Sequence, residues 1–312
     1  MSDLKIALLC NNKMALPMMQ RLIAEGALCG IASADNDPEV VALCTQLAAT
    51  NKVPYKKTTH ENYITELQGL LNDLQPDAVF VATFPWRLPM ALLRIPARGF
   101  FNFHFGLLPE MRGADPIFES IRQRMQTAGT TVHLMEEGFD SGPIVLREEI
   151  PLGTIYTYGM LSGQLAQMGE KMCAAIVKKL KAGEEIATTK QDEARAKYWP
   201  KITEAEMTIR YRDMDSATIM ALVRSCNPIA RGVPSVINGW KIGICDVSEV
   251  NLQGASDAIT PGTIVALDVQ NGMIVYCKDG KGIKLDVVYT TEGVFPGYKL
   301  AFFGIGQGMI FE

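Results

Sequence analysis

Phe100-Phe-Asn-Phe-His104-Phe-Gly106-Leu-Leu-Pro109 is the stretch on which the reading of the chain turns. Its aromatic first half reads as a buried strand carrying His104 at the carboxyl end, and the Gly-to-Pro half as the turn that follows. Ligands of open α/β sheets sit beyond the carboxyl ends of their strands, so Asn102 and His104 stand where chemistry is expected. Asp140 follows in a Gly-flanked turn, Glu136-Glu-Gly-Phe-Asp140-Ser-Gly142. An amide, an imidazole and a carboxylate are the set needed to move an acyl group onto an amine. The amide stabilises an oxyanion, the imidazole moves a proton, and the carboxylate orients the imidazole. Each also has a plainer reading: a satisfied core histidine, a strand-end asparagine, a turn-forming aspartate.

Outward from that stretch, elements alternate. Residues 4–10 and 27–33, a short extended piece at Val53-Pro-Tyr55, and 77–82 read as strands. Between them, 16–25 has helical spacing and stops at Gly26, and Asp37-Pro38 opens a helix expected to bury Val40, Val41, Cys44 and Leu47. A third helix should bury Tyr63, Ile64, Leu67, Leu70, Leu71 and Leu74. This alternation predicts an α/β, Rossmann-like domain around an open, mostly parallel sheet. A helix over 116–126, strands near 130–136 and 143–150, and a helix over 158–182 with Leu161, Leu165, Met168, Met172 and Ile176 on one stripe complete it, giving a first domain of residues 1–187. Residues 188–204 are polar and read as a linker. Residues 205–312 hold one helix (215–226) and short strands separated by Asn238-Gly239, Asn271-Gly272 and Asp279-Gly280, the pattern of a small OB-like β-barrel.

The totals narrow the classes. Of 312 residues 48% are apolar, enough for a sizeable core, and the formal charge of −4 gives no general attraction to nucleic acid or an anionic membrane. Seven dispersed cysteines without a CxxC pair read as free thiols in a reducing compartment. No leader is read at the N-terminus and no apolar run reaches the roughly 18 residues of a span, so a cytoplasmic protein without membrane partners is expected. Asn11-Asn12 stand where a Gly-rich phosphate loop would be, yet no GxGxxG is present, which argues against a dinucleotide. His60 and His133 read as structural.

The run Asn102-x-His104-x-x-Leu-Leu-Pro109-x-x-Arg112-Gly113-x-x-Pro116, with Asp140-Ser-Gly142 downstream, resembles the folate-dependent formyltransferases, a family that includes methionyl-tRNA and nucleotide-sugar enzymes. Tyr198-Trp-Pro-Lys201, Asn227-Pro228 and Pro261-Gly-Thr-Ile264 extend the likeness through the linker and the C-terminal domain. The resemblance implies a formyltransferase with N10-formyltetrahydrofolate as co-substrate and neither metal nor nicotinamide, with Asn102, His104 and Asp140 as the catalytic trio. It implies a pterin slot lined by Phe84, Trp86, Arg87, Leu88, Leu107 and Leu108, with backbone bonds from Glu136, Glu137, Gly138 and Phe139. Asn11, Met14 and Arg112 are the candidates on the acceptor side, although Met14 also reads as core and Arg112 as a salt-bridge partner. Gly106 stands where the family often has Ser, which removes a hydroxyl and suggests a more mobile loop.

The family's tRNA enzymes share a basic insertion after the second strand, whereas Ala32-Ser-Ala-Asp-Asn-Asp-Pro38 is short and acidic here. Residues 203–312 carry 9 Lys and Arg against 12 Asp and Glu, a net −3, where a tRNA-binding face would be basic. The expectation is therefore a small primary amine, such as a nucleotide-linked amino sugar, ahead of methionyl-tRNA. A 10-formyltetrahydrofolate hydrolase, a degenerate folate-binding module and a homodimer stay open.

Overall fold

In the computed structural model, which describes residues 4–252 and 258–312, the chain divides into two units. One comprises Met1–Pro116, Thr127–Pro151 and Ser162–Trp199, the other Ile117–Gln126, Leu152–Leu161 and Pro200–Glu312. The first three residues of the sequence lie outside the described residues.

The first unit is built on five strands that run parallel: β1 (Ile6–Cys10), β2 (Leu28–Ala34), β3 (Tyr55–Thr58), β4 (Ala78–Ala82) and β5 (Phe100–His104). Every residue of β1 and β4 is buried, which a strand achieves only when helices cover both faces. The covering elements include α1 (Leu16–Ala24), α2 (Pro38–Asn51), α3 (Tyr63–Leu74) and the one-turn α4 (Met90–Leu93). Asp37 caps α2 by accepting from Glu39 N at 2.9 Å and Val40 N at 3.3 Å, with Pro38 in the first turn. Val40 and Cys44 are buried as expected, but Val41 and Leu47 are only half-buried and Ile64 is 43% exposed. On these helices the apolar stripe is narrower than its hydrophobic composition.

The short β6 (Arg112–Gly113) and α5 (Pro116–Arg122) follow, then β7 (Thr127–Leu134) and β8 (Ile144–Pro151), which join the sheet antiparallel. The full order is β3-β2-β1-β4-β5-β7-β8, so the strand order reverses direction beside β1, the place where open sheets form a ligand crevice. Then comes α6 (Tyr158–Lys181), which stops at Gly183 with φ +70°. The segment expected as linker is structured in part. Its β9 (Tyr198–Trp199) pairs parallel with β6, which keeps residues to 199 in the first unit.

In the second unit, α7 (Ser216–Cys226) is capped by Asp215, which accepts from Thr218 N at 2.7 Å. It packs with an antiparallel sheet of β10 (Val233–Ile237), β11 (Trp240–Val250), β12 (Ile264–Asp268), β13 (Gly272–Tyr276), β14 (Gly282–Thr290) and β15 (Gly293–Phe295). The path runs β10-β11-β14-β13-β12 with β15 on β14. Asn238 and Gly239 both have positive φ, the backbone a two-residue hairpin demands, and they join β10 to β11. Ile219, Leu222, Val223, Ile244, Val275 and Leu285 fill the core.

Candidate active site

Four polar side chains meet beyond and beside the carboxyl end of β5. Asn102 and His133 are register partners on β5 and β7, so their side chains share a face of the sheet. Asn102 Nδ2 lies 3.1 Å from His133 Nε2 and donates to Asp140 Oδ1 at 3.4 Å. Asp140 Oδ1 lies 3.6 Å from His104 Nδ1 and 3.7 Å from His133 Nε2, while Oδ2 accepts from Gly113 N at 3.0 Å. The expected trio is thus brought together around one carboxylate.

The backbone fixes the tautomers. His104 Nε2 lies 2.6 Å from Met111 O and His133 Nδ1 lies 3.0 Å from Leu134 O. A carbonyl oxygen only accepts, so each of these nitrogens carries its hydrogen. That leaves Nδ1 of His104 and Nε2 of His133 as the positions where a proton can be gained or lost, and both face Asp140. Burial by itself would raise the Asp140 pKa. The charge of His104, the His133 ring and the Gly113 N–H outweigh it and hold the carboxyl well below the usual range. Asp140 is therefore an anion at neutral pH.

Several features place this carboxylate. Asp140 has φ +51°, a left-handed conformation that Asp tolerates better than most residues. Gln191 ties its turn down, donating from Nε2 to the carbonyls of Asp140 and Gly142, both at 2.7 Å. Gly113 has φ +121°, and a Cβ there would meet Trp199 O at 1.9 Å. Only glycine can present its N–H to Asp140 while β6 pairs with β9.

A cleft opens beside the constellation, bounded by Phe84, Trp86, Arg87 and Leu88 after β4 and by Glu136, Glu137, Gly138 and Phe139 before Asp140. Asn102, His133 and Asp140 form part of its wall. Trp86 meets Phe84 edge-on at 5.3 Å and Tyr63 at 5.0 Å, giving one aromatic side. Arg87 spans the two loops, donating from Nε to Glu137 O at 2.9 Å and lying 5.9 Å over the Phe139 ring. The free space is about 70 Å³, below the roughly 300 Å³ of ordinary ligand sites. Phe139 is 55% exposed, so opening this rim displaces side chains rather than core.

Other expected site residues sit elsewhere. Leu107 and Leu108 are buried in the core and do not line the cleft, because the turn after β5 points them inward. Nor does His104, which lies on the far side of the Asp140 contact, 7% exposed. Arg112 has its guanidinium committed: Nε and Nη2 donate to Gln191 Oε1, and Nη1 and Nη2 to the Glu193 carboxylate. It clamps the chain rather than offering a free cation to an acceptor. Asn11 follows β1 at the same sheet edge, and its Oδ1 is buried without a hydrogen-bond partner among the described residues. Met14 is half-buried beside it, its N–H bonded to Asn12 Oδ1 at 2.9 Å. The turn at Gly106 is pinned rather than mobile: Thr131 Oγ1 donates to Gly106 O at 2.8 Å and accepts from Leu108 N at 3.1 Å.

Two residues of the site escaped the sequence reading. His133 was visible as a strand residue, but only the β5–β7 register puts it opposite Asn102. Gln191 lay in the polar stretch taken as linker, and no local signal marks it.

A doubly wound sheet bearing an amide, two imidazoles and an ionised carboxylate at its carboxyl edge has the layout of an acyl-group transferase. The chain belongs to the formyl transferase family, whose model matches residues 24–177. It is 32% identical over 235 residues to the methionyl-tRNA formyltransferase of Kosmotoga olearia, covering 74% of this chain and 70% of that protein. With the methionyl-tRNA formyltransferase of Herminiimonas arsenicoxydans it shares 30% identity over 261 residues, covering 81% and 78%. Among solved structures, the N-formyltransferase from Helicobacter canadensis, in complex with folinic acid and dTDP-3-aminofucose, matches with a TM-score of 0.67 at 18% identity, covering 90% of this chain and 98% of that one. WlaRD, a sugar 3N-formyl transferase solved with dTDP and 5-N-formyl-THF, matches with a TM-score of 0.65 at 16% identity, covering 94% and 97%. These structural likenesses show the fold. The sequence relatives carry the tRNA enzyme's name, against the small acceptor expected from charge. No helix among the described residues is long and apolar enough to cross a membrane.

Proposed function

We propose that this enzyme transfers a formyl group from 10-formyltetrahydrofolate to a primary amine, and that the amine is that of methionyl-tRNA, the acceptor the sequence relatives favour. The observation that carries the reaction is the Asp140 carboxylate, held ionised and shared by His104, His133 and Asn102. The amine nitrogen attacks the formyl carbon, and negative charge develops on the formyl oxygen. Both hydrogens of the Asn102 amide are engaged, one at His133 Nε2 and one at Asp140. Protonation of His133 turns Nε2 from acceptor to donor and releases an Asn102 N–H towards the oxyanion. The proton leaving the amine is taken up within the His133–Asp140–His104 group and delivered to the departing folate nitrogen. Collapse of the intermediate breaks the bond from formyl carbon to folate nitrogen.

The cleft beside this group suits a flat heterocycle: the Phe84–Trp86 wall gives stacking surface, and the backbone of Glu136–Phe139 gives fixed polar groups. Asn11, with its unpaired Oδ1, would accept a hydrogen bond from the acceptor. β1 and β5 are separated by β4 alone, roughly 10 Å at the usual strand spacing. That distance lets one acceptor reach from Asn11 to the reacting centre.

A second reading, a small amine such as a nucleotide-linked amino sugar, is favoured by a specific observation. The connection between β2 and α2 is only Asp35-Asn36-Asp37, and Asp37 is occupied as helix cap. It offers no basic loop to a tRNA stem. Turnover of 10-formyltetrahydrofolate is to be measured with methionyl-tRNA, with amino-sugar nucleotides and with water alone. Release of tetrahydrofolate only when an amine is present supports transfer, and the active acceptor selects between the two readings. Formate release at full rate without amine would overturn both in favour of a hydrolase.

A further inference from the structure

A second recess lies wholly within the second unit. Its walls come from the end of α5 and the residues after it, the segment following β8, one face of α7 and Glu249 of β11. It encloses about 520 Å³, inside the range of small-molecule sites. The floor and sides are apolar, with Ile121, Met125, Leu152 and Met220, and Tyr156 adds a half-buried aromatic ring.

Its two arginines form no close ion pair among the described residues, although Asp246 and Asp215 act on them at longer range. Ala217, Met220 and Arg224 follow one another at helical spacing along α7, so they face the recess together. Arg224 is half-buried, and among the described residues its guanidinium makes one hydrogen bond, from Nε to Met220 O at 3.2 Å, which orients it and leaves both Nη groups without a partner there. It has no ion-pair partner among the described residues. Burial lowers its pKa, with only a partial offset from the charge of Asp246. A half-buried cation whose burial is only partly offset by a distant carboxylate is a cost that a bound anion would reduce. Arg124, the second guanidinium, is exposed on a residue with φ +51° after α5 and likewise has no ion-pair partner among the described residues. Asp215, which feels the Arg124 charge, is committed to capping α7. Glu249, the one carboxylate of the wall, is held by Lys281 Nζ and Ser216 Oγ, both at 2.9 Å. The lining itself thus carries two arginines against one carboxylate, around an apolar, partly aromatic interior.

We propose that this recess is a binding site for a nucleoside phosphate, its phosphate on Arg224 and Arg124 and its base against Tyr156 and the Met220–Leu152 walls. Planar guanidinium pairs match phosphate oxygens bidentately, and an apolar recess with an aromatic face suits a base. None of these residues belongs to the cleft at β5, so the site stands independently of the formyl-transfer reading.

The test is calorimetric titration of the full chain with ADP, GDP, UDP and dTDP, with inorganic phosphate and a single-stranded RNA oligomer as further probes. Arg224→Gln and Arg124→Gln are titrated alongside the wild type, and melting curves establish that each is folded. At least one nucleotide is expected to bind, with its Kd rising about tenfold or more in each variant, the loss of one charge-assisted contact. Formyl transfer with its acceptor saturating should remain at the wild-type rate. Four results would overturn the proposal: no nucleotide binding below millimolar concentration, unchanged affinity in either folded variant, inorganic phosphate binding as tightly as every nucleotide, or RNA binding more tightly than all of them with the same arginine dependence. Arg124 is exposed, so its variant decides the matter even if Arg224→Gln fails to fold.

Discussion

Replacing Gly106 by Ala perturbs the site through a single methyl group. A Cβ at this position would lie 2.5 Å from Pro116 Cβ, 2.9 Å from Pro116 Cγ and 2.9 Å from His104 Nε2. Ordinary contact begins at 3.4 Å, so the shortfall against the imidazole is 3.4 − 2.9 = 0.5 Å and against Pro116 Cβ it is 3.4 − 2.5 = 0.9 Å. The ring cannot simply tilt away, because Nε2 is bound to Met111 O at 2.6 Å and Nδ1 faces Asp140. The turn cannot retreat either, since Thr131 bonds both Gly106 O and Leu108 N. Overpacking of this kind costs about 1–3 kcal/mol. A misplacement of about 1 Å at a reacting centre costs about 10²-fold, so a shift of half that size should lower turnover by roughly tenfold. Urea unfolding gives the first quantity, single-turnover kinetics with the identified acceptor the second. The double variant Gly106→Ala with Pro116→Gly removes both Pro116 contacts but not the imidazole contact, so, measured against Pro116→Gly alone, the added methyl should cost little stability while the rate stays low. Wild-type rate and stability in Gly106→Ala would refute the reasoning, and Gly106→Ser, which restores the family's common residue, should behave no better.

Three further outcomes are expected. Gln191→Ala removes the two bonds to the Asp140 turn and the acceptor of Arg112. It should cost about 1.5–3 kcal/mol in urea unfolding and lower turnover with little change in the donor KM; unchanged turnover would deny Gln191 a positioning role. His133→Ala should reduce turnover by about 10²-fold or more while leaving the fold intact, and full activity would remove this residue from the proton group. Asp140→Asn keeps the left-handed backbone but loses the charge, so it should abolish transfer. Because the folded Asp140 pKa is depressed, its contribution to stability is present above the ordinary carboxylate range and is lost as pH falls through the depressed value. The stability difference between wild type and Asp140→Asn should therefore shrink below about pH 4, and a pH-independent difference would contradict the assigned ionisation.

What was legible in the sequence follows from how local each signal is. Buried strands such as Ile6–Cys10 and Ala78–Ala82, the Asp37-Pro38 cap and the Asn238-Gly239 hairpin each write their structure into a few consecutive residues. Asn102, His104 and Asp140 drew notice because turn chemistry and polar residues stand out against an apolar run, and the structure brings the first two within 3.6 Å of Asp140. Pairing across distance was not legible. Nothing near Tyr198-Trp199 announces that it pairs with Arg112-Gly113, and nothing in Gln191 announces that it holds Asp140. The inward turn of Leu107 and Leu108 was likewise hidden, since an apolar pair after a strand-end histidine suits a ligand slot or the core equally. The division into units shows the same limit: residues 117–126 and 152–161 belong with the C-terminal strands through contacts no local pattern encodes.

On the proposed reading, donor and acceptor are read by different parts of the chain, which is how likeness and charge come to point to different amines. The family match over residues 24–177 takes in β4, β5, β7 and the Asp140 turn, the elements that carry Asn102, His104, His133 and Asp140. Any formyl transfer to nitrogen needs the same stabilised oxyanion and the same proton path, so similarity there constrains the reaction far more than the partner. Partner choice rests on what a large polyanion or a small amine would touch. A tRNA stem requires positive charge along its path. The β2–α2 connection supplies two acidic residues in three, and residues 203–312 carry a net −3. For methionyl-tRNA to be the acceptor, its phosphates must be met by local clusters rather than by overall charge, and the slope of its binding against salt then counts the phosphates those clusters neutralise. A reaction rate that does not respond to salt would instead show that no such cluster is engaged, and would favour the small amine.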